Sequence, residues 1–166
     1  MMITRSLKYL LTATLLTTTC AFSSTALAED LTLYSNVVKP VDVPNTAKDI
    51  GVGHRRIRES KIRLSEKGKV VGKSYSISNV VKANAKAGTR TGAVLGVVQL
   101  PKGTFWTEAT AEVMNLKAAP GAGYKYSGLI LGGTGAYEGV TGTFDFEYSK
   151  DGKFTTRVCH FVRAEK

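Results

Sequence analysis

From residue 137 to residue 148 the chain reads YEGVTGTFDFEY, and beyond its first glycine apolar and polar residues alternate. Val140, Gly142, Phe144, Phe146 and Tyr148 fall on one face of an extended chain, and Thr141, Thr143, Asp145 and Glu147 on the other. That pattern predicts a strand over 137–148 with one buried and one wet face. Similar runs, rich in β-branched and aromatic residues, predict strands over 31–38, 54–65, 69–80, 91–100, 104–117, 124–132 and 154–163. Turn signals separate them, among them Glu66-Lys67-Gly68, Pro101-Lys102-Gly103, Pro120-Gly121-Ala122-Gly123 and Lys150-Asp151-Gly152. Residues 82–91 are small and polar and read as a long loop or a short turn of helix, and 40–53 read as an irregular lead-in.

An antiparallel set of about eight strands with no helix to cover it has to manage its edges, and closure into a barrel does so most simply. The expected fold is therefore all-β, an antiparallel eight-stranded β-barrel. A barrel of that size is either filled by side chains or just wide enough for one small ligand. The run 104–117 has apolar residues on both faces: Phe105, Ala109, Ala111 and Val113 on one, Trp106, Met114 and Leu116 beside Glu108 and Glu112 on the other. Such an outer face points to a second subunit.

The first 28 residues stand apart. A basic start (Arg5, Lys8), an apolar and threonine-rich run and a final Ala26-Leu27-Ala28 match a secretory signal peptide cleaved after Ala28. The division expected is 1–28 signal peptide, 29–53 first strand and lead-in, and 54–166 the remainder of one barrel domain. The product is then exported, to a periplasm or the cell exterior, with no transmembrane segment. Losing Arg5 and Lys8 lowers the formal charge from +10 to +8. That balance attracts acidic surfaces without specifying a fold. Export argues against a nucleic-acid partner. The mature chain keeps one cysteine, Cys159, so no internal disulfide supports it, and its strand context makes it a buried small hydrophobe.

The glycine cluster after Leu129-Ile130-Leu131 looks like a phosphate loop, but such a loop needs a helix whose N-terminus holds the anion. Here the glycines lead into a run of period two, and no Lys-Ser or Lys-Thr follows. Glycines so placed serve a tight passage between two strands. The motif Gly132, Gly133, Thr134, Gly135, Ala136, Tyr137, Glu138, Gly139, Val140, Thr141, Gly142 resembles the signature hairpin of the allene oxide cyclase and dirigent protein superfamily. The Glu138-Gly139 pair is more similar to the cyclase branch, since the dirigent branch typically has arginines at the positions of Glu138 and Thr141. The segments Arg90 to Gly96 and Gly103 to Val113 also resemble its central strands.

The resemblance implies an eight-stranded antiparallel barrel that holds a reactive apolar intermediate, works without cofactor or metal and forms a homodimer or homotrimer. Catalysis in such a mould comes mostly from orientation and restricted freedom. The cyclases carry a glutamate on the first strand and dirigent proteins an aspartate; here that strand reads LTLYSNVV, with Ser35 and Asn36 where the acid is expected. No catalytic residue is assigned. The residues expected to line a pocket are Phe144, Phe146 and Tyr148, with Tyr75 and His160 as polar tips.

The remaining chemistry is sparse. His54 and His160 lie far apart without metal-ligand spacing, and neither has a nucleophile and an orienting acid. Glu108 and Glu112 on one strand stand ~13 Å apart, too far for a glycosidase pair. The basic run HRRIRESKIR (54–63) reads as a solvated or edge strand protected by charge, or as a contact for anionic material. Two functions stay open: a barrel that binds a small apolar ligand and directs its cyclisation (an isomerase) or coupling, or a non-enzymatic scaffold with a filled barrel and a basic surface for anionic envelope or host material. An open pocket with a polar group separates the first from the second.

Overall fold

The computed structural model describes residues 27–38, 41–43, 51–84, 86–113 and 123–163. Of the leader expected over 1–28, residues 1–26 fall outside them and Leu27 and Ala28 open the first strand; Met114, Leu116 and most of the turn at 120–123 also fall outside. Nine strands follow in order: β1 (Leu27–Asn36), β2 (Val41–Asp42), β3 (Arg55–Arg63), β4 (Val70–Asn84), β5 (Thr89–Leu100), β6 (Gly103–Val113), β7 (Lys125–Gly133), β8 (Val140–Tyr148) and β9 (Phe154–Arg163). A single 3-10 turn, Gly135–Tyr137, interrupts the hairpin between β7 and β8. No helix among the described residues is long and apolar enough to cross a membrane.

All pairings are antiparallel, and hairpins link β3 through β9 in sequence. Closure comes from β1, which pairs with β9 along all ten of its residues and with β3 at only two positions, Tyr34 opposite Arg63 and Ser35 opposite Ile62. The result is a closed eight-stranded barrel. The two-residue β2 lies on the same edge of β3 farther along, with Val41 opposite Ile57 and Asp42 opposite Arg56. Between these contacts, residues 58–61 of β3 have no strand partner on that edge among the described residues.

Period two sorts each strand between core and solvent. In β8, Val140, Phe144, Phe146 and Tyr148 are buried, while Thr141, Thr143 and Asp145 are exposed. Leu33, Val98, Phe105, Ile130 and Phe161 join them in the core. Cys159 is fully buried, and burial pushes its thiol up to about 11, so it behaves as the small hydrophobe expected from its strand. Glu108 and Glu112 are exposed on the outer face of β6.

One sequence expectation fails here. Residues 82–91 are not a long loop: β4 runs on to Asn84 and β5 begins at Thr89, leaving a tight turn between them. Small polar side chains suit an exposed hairpin end as well as a loop, and cross-strand pairing of Ala83 with Arg90 and Asn84 with Thr89 decides the matter.

Candidate functional site

The glycine motif builds one end of the barrel and closes it. Thr134 N–H donates to the Thr104 carbonyl (2.7 Å) and Ala136 N–H to the Lys102 carbonyl (2.8 Å), folding the hairpin over the β5–β6 turn. Tyr137 then packs with Phe105 and Phe161 as a three-ring cluster with centroid separations of 5.1, 5.2 and 5.4 Å. Glycine is required at Gly133, where a Cβ would sit 2.5 Å from the Tyr137 Cβ and 2.6 Å from the Thr104 carbonyl oxygen. No helix receives a phosphate here; the loop is a plug.

The opposite end is open. There β1 departs from β3 and a cavity enters beside the unpaired stretch of β3. It holds about 30 Å³ for the centres of water molecules, within about 540 Å³ of atom-free space that includes its mouth. Asn36, Val37 and Val38 form one side, Arg58, Ser60, Ser74 and Ser76 another, and Tyr126, Phe146, Tyr148 and Arg157 the aromatic and cationic wall. Tyr126 and Phe146 are stacked at 4.8 Å. Burial pushes the Tyr126 phenol up to about 12, despite the nearby Arg157 and Arg58, so at neutral pH it remains a neutral donor.

Both arginines are held by aromatic groups. The Arg157 guanidinium lies 5.2 Å from the Phe144 ring centre and 5.5 Å from that of Phe146, and Arg58 Nη1 donates to the Tyr148 hydroxyl at 3.4 Å. Their remaining buried donors, Arg58 Nε and Arg157 Nε and Nη1, have no hydrogen-bond partner among the described residues. Ser35, at the position where the superfamily's acid is expected, is buried at the cavity wall and shares a 2.6 Å hydrogen bond with Thr155. Among the described residues, no carboxylate lines the cavity.

The chain matches no protein-family model and no curated protein. Among solved structures it is similar to a pyocyanin demethylase (16% identity, TM-score 0.59, covering 80% of this chain and 99% of that one). It is likewise similar to the pterocarpan synthase dirigent protein GePTS1 (16% identity, TM-score 0.59, covering 96% and 100%). A third is the Diels-Alderase AbmU from Streptomyces koyangensis (15% identity, TM-score 0.58, 83% of this chain and 64% of that one). The chain has the allene oxide cyclase and dirigent-like barrel fold.

Within that barrel, the residues expected at the site divide. Phe146 and Tyr148 line the cavity, while Phe144 lies beneath it under the Arg157 guanidinium. Tyr75 and His160 need correction, because both point away from the interior. Ser74 and Ser76 face the cavity, so Tyr75 between them is on the outer wall beside Lys73 and Glu59. Cys159 and Phe161 face the core, so His160 is outside, bonded through Nδ1 to Asp30 (2.8 Å) and through Nε2 to Asp145 (3.3 Å). Val158, His160 and Val162 share the outer face of β9; their apolar members suggested an inner one.

Arg157, Tyr126 and the hydroxyl residues Ser60, Ser74, Ser76 and Thr155 are cavity residues that sequence reading did not single out, and Arg58 entered it only as part of the basic run 54–63. A signal existed for Arg58, which shares parity with Ile62, but Ile57 has the opposite parity and the run offered no majority face. The basic run is accordingly not one charged surface. Arg55 and Lys61 are exposed, Arg56 pairs with Asp42 at 2.8 Å, Arg58 enters the cavity, and Arg63 donates to Asn36 at 2.6 Å.

Proposed function

We propose that the protein is an exported, cofactor-free barrel that binds a small, largely apolar metabolite and directs its cyclisation or stereoselective coupling. The observation that carries this reading is the division of the interior. One end is packed with aromatic and aliphatic side chains, and the other is an indented aromatic wall with serines, tyrosines and two arginines turned inward. A pocket that is mostly apolar with a few convergent polar groups is the usual form of a small-molecule site. The names of the similar barrels, a demethylase, a dirigent protein and a Diels-Alderase, fit a shared role of holding a reactive small molecule.

In this reading the wall works by orientation. Stacked Tyr126 and Phe146 would fix the plane of an unsaturated ligand, and hydroxyls from Ser60, Ser76 and Tyr148 would limit its rotation, lowering the entropy still to be lost at the transition state. With Ser35 and Thr155 bonded to each other and no acid in the wall, carboxylate acid–base chemistry of the superfamily's first-strand type has no residue to perform it. A leader over 1–28 would carry the chain to a periplasm or outside the cell, and the exposed apolar outer face supports a homodimer or homotrimer.

A competing reading, the filled scaffold, draws on the narrowness of the cavity and on exposed Arg55 and Lys61. Native mass spectrometry of the exported chain, residues 29–166, incubated with a small-molecule extract of its source cells separates the two. A discrete adduct is expected, and it should vanish in Ser76→Phe, which fills the wall. Bare protein at every oligomeric state, in both proteins, would sink the binding reading.

A further inference from the structure

We propose that the cavity selects a carboxylate carried on an aromatic or similarly flat apolar body, with Arg58 and Arg157 as the residues that recognise the charge. This rests on the reading of the barrel as a small-molecule binder and narrows it to a ligand class.

The argument starts from charge balance inside the wall. Arg58 and Arg157 both line the cavity, and three of their buried donor nitrogens have no partner among the described residues. The ion pairs between charged side chains elsewhere, Arg56 with Asp42, Lys73 with Glu59 and Lys125 with Glu147, involve neither of them. The other polar lining groups are the hydroxyls of Ser35, Ser60, Ser74, Ser76, Thr155 and two tyrosines and the amide of Asn36, and Tyr126 is held in its neutral form. Two guanidinium groups therefore share one cleft with no anion among the described residues to face them. Desolvated cations without counter-charge are costly, and a filled core is normally built from apolar side chains instead.

The arrangement suits a flat oxyanion. A guanidinium presents a rigid fork that matches a carboxylate at two points. Arg157 is pinned in orientation over Phe144 and Phe146, with its Nε and Nη1 donors, which lie on different edges of the guanidinium, buried and without a partner among the described residues; Arg58 is tethered at Nη1 by Tyr148, with its Nε likewise unpartnered. Beside them, the Tyr126–Phe146 stack offers an apolar platform for the ligand body. The space between is narrow, so entry of a ring requires the long arginine stems to swing toward the charge they bind. The formal charge of +8 on residues 29–166 favours approach of an anion at long range.

Isothermal titration calorimetry with benzoate and 2-naphthoate, each against its neutral amide, tests the assignment. The carboxylate should bind at least about tenfold more tightly than the amide, and Arg58→Gln or Arg157→Gln should each weaken it roughly tenfold to a hundredfold while leaving the amide nearly unchanged. Circular dichroism melts confirm that each variant folds. If one does not, the carboxylate-to-amide ratio of the parent protein decides alone. Equal affinity for acid and amide would overturn the charge selection and leave the small-molecule reading standing. Failure of all four probes to bind would overturn both.

Discussion

A methyl group is the smallest change that can be made in the wall, and at Gly142 there is no room for one. Its Cβ would stand 2.0 Å from the His160 carbonyl oxygen of the neighbouring strand, on a backbone with φ of +147°. Neither the carbonyl nor the φ can relax without disturbing the β8–β9 pairing, so Gly142→Ala should cost about 2–4 kcal/mol. Gly53 is the contrast: its φ is +87° but nothing lies within 4 Å of an added Cβ, and Gly53→Ala should cost only about 1 kcal/mol. Denaturant titration of the two variants compares them, and equal losses would mean that close approach is not the reason for glycine at 142. The motif glycines were legible in the sequence because few residues tolerate such positions. The arginines of the cavity were not, because an arginine on a strand reads as a surface residue unless the direction of every neighbour is known. In β3 the aliphatic residues Ile57 and Ile62 sit on opposite faces, so nothing local says that Arg58 turns inward.

Three strands meet at His160. From the outer face of β9 its imidazole bridges Asp30 of β1 and Asp145 of β8, and Asp145 also accepts from the Ser127 hydroxyl of β7 at 2.5 Å. The Asp30 hydrogen bond, and after it Asp145, raises the His160 pKa above its ordinary value. A histidine whose pKa is raised by folding contributes stability that is fully present below the unfolded pKa and fades as pH rises through the folded one. Asp145, held below the usual carboxylate range by Ser127 first and His160 second, contributes in the opposite sense, and its share is lost in acid. Between about pH 6 and about pH 8 the parent should therefore lose stability as pH rises, and His160→Gln should flatten that slope in urea titrations. An unchanged slope would show that the bridge is not felt. The existence of every strand but the two-residue β2, which lies in the stretch 40–53 read as an irregular lead-in, was readable, because alternation and turn residues agree along most of the chain. Strand ends were less so: the β4–β5 hairpin extends through residues whose side chains carry no β signal, held by backbone pairing alone.

The outer wall carries an apolar band of the whole barrel. Ile57, Ile77 and Leu95 stand side by side on β3, β4 and β5, at 46%, 37% and 51% exposure, with Trp106 and Leu129 exposed beyond them. Contiguous apolar surface of this kind marks an association face. Sedimentation velocity at micromolar concentration should report a homo-oligomer, and Ile77→Lys should shift it to monomer; a monomeric parent would assign the band to something other than self-association. Mixed faces in the run 104–117 signalled this band, although only Trp106 of that run contributes an exposed apolar side chain among the described residues.

The pairing of β1 with β9 also fixes a sequence of events. The first of the described strands finds its ten-residue partner only in the last of them, more than a hundred positions away. Contacts so distant in the chain form late and slowly. Hairpins from β3 to β9 can assemble as they appear, yet the cylinder stays an open, curled sheet until its last strand is available. Closure of the barrel therefore waits on that one long-range contact.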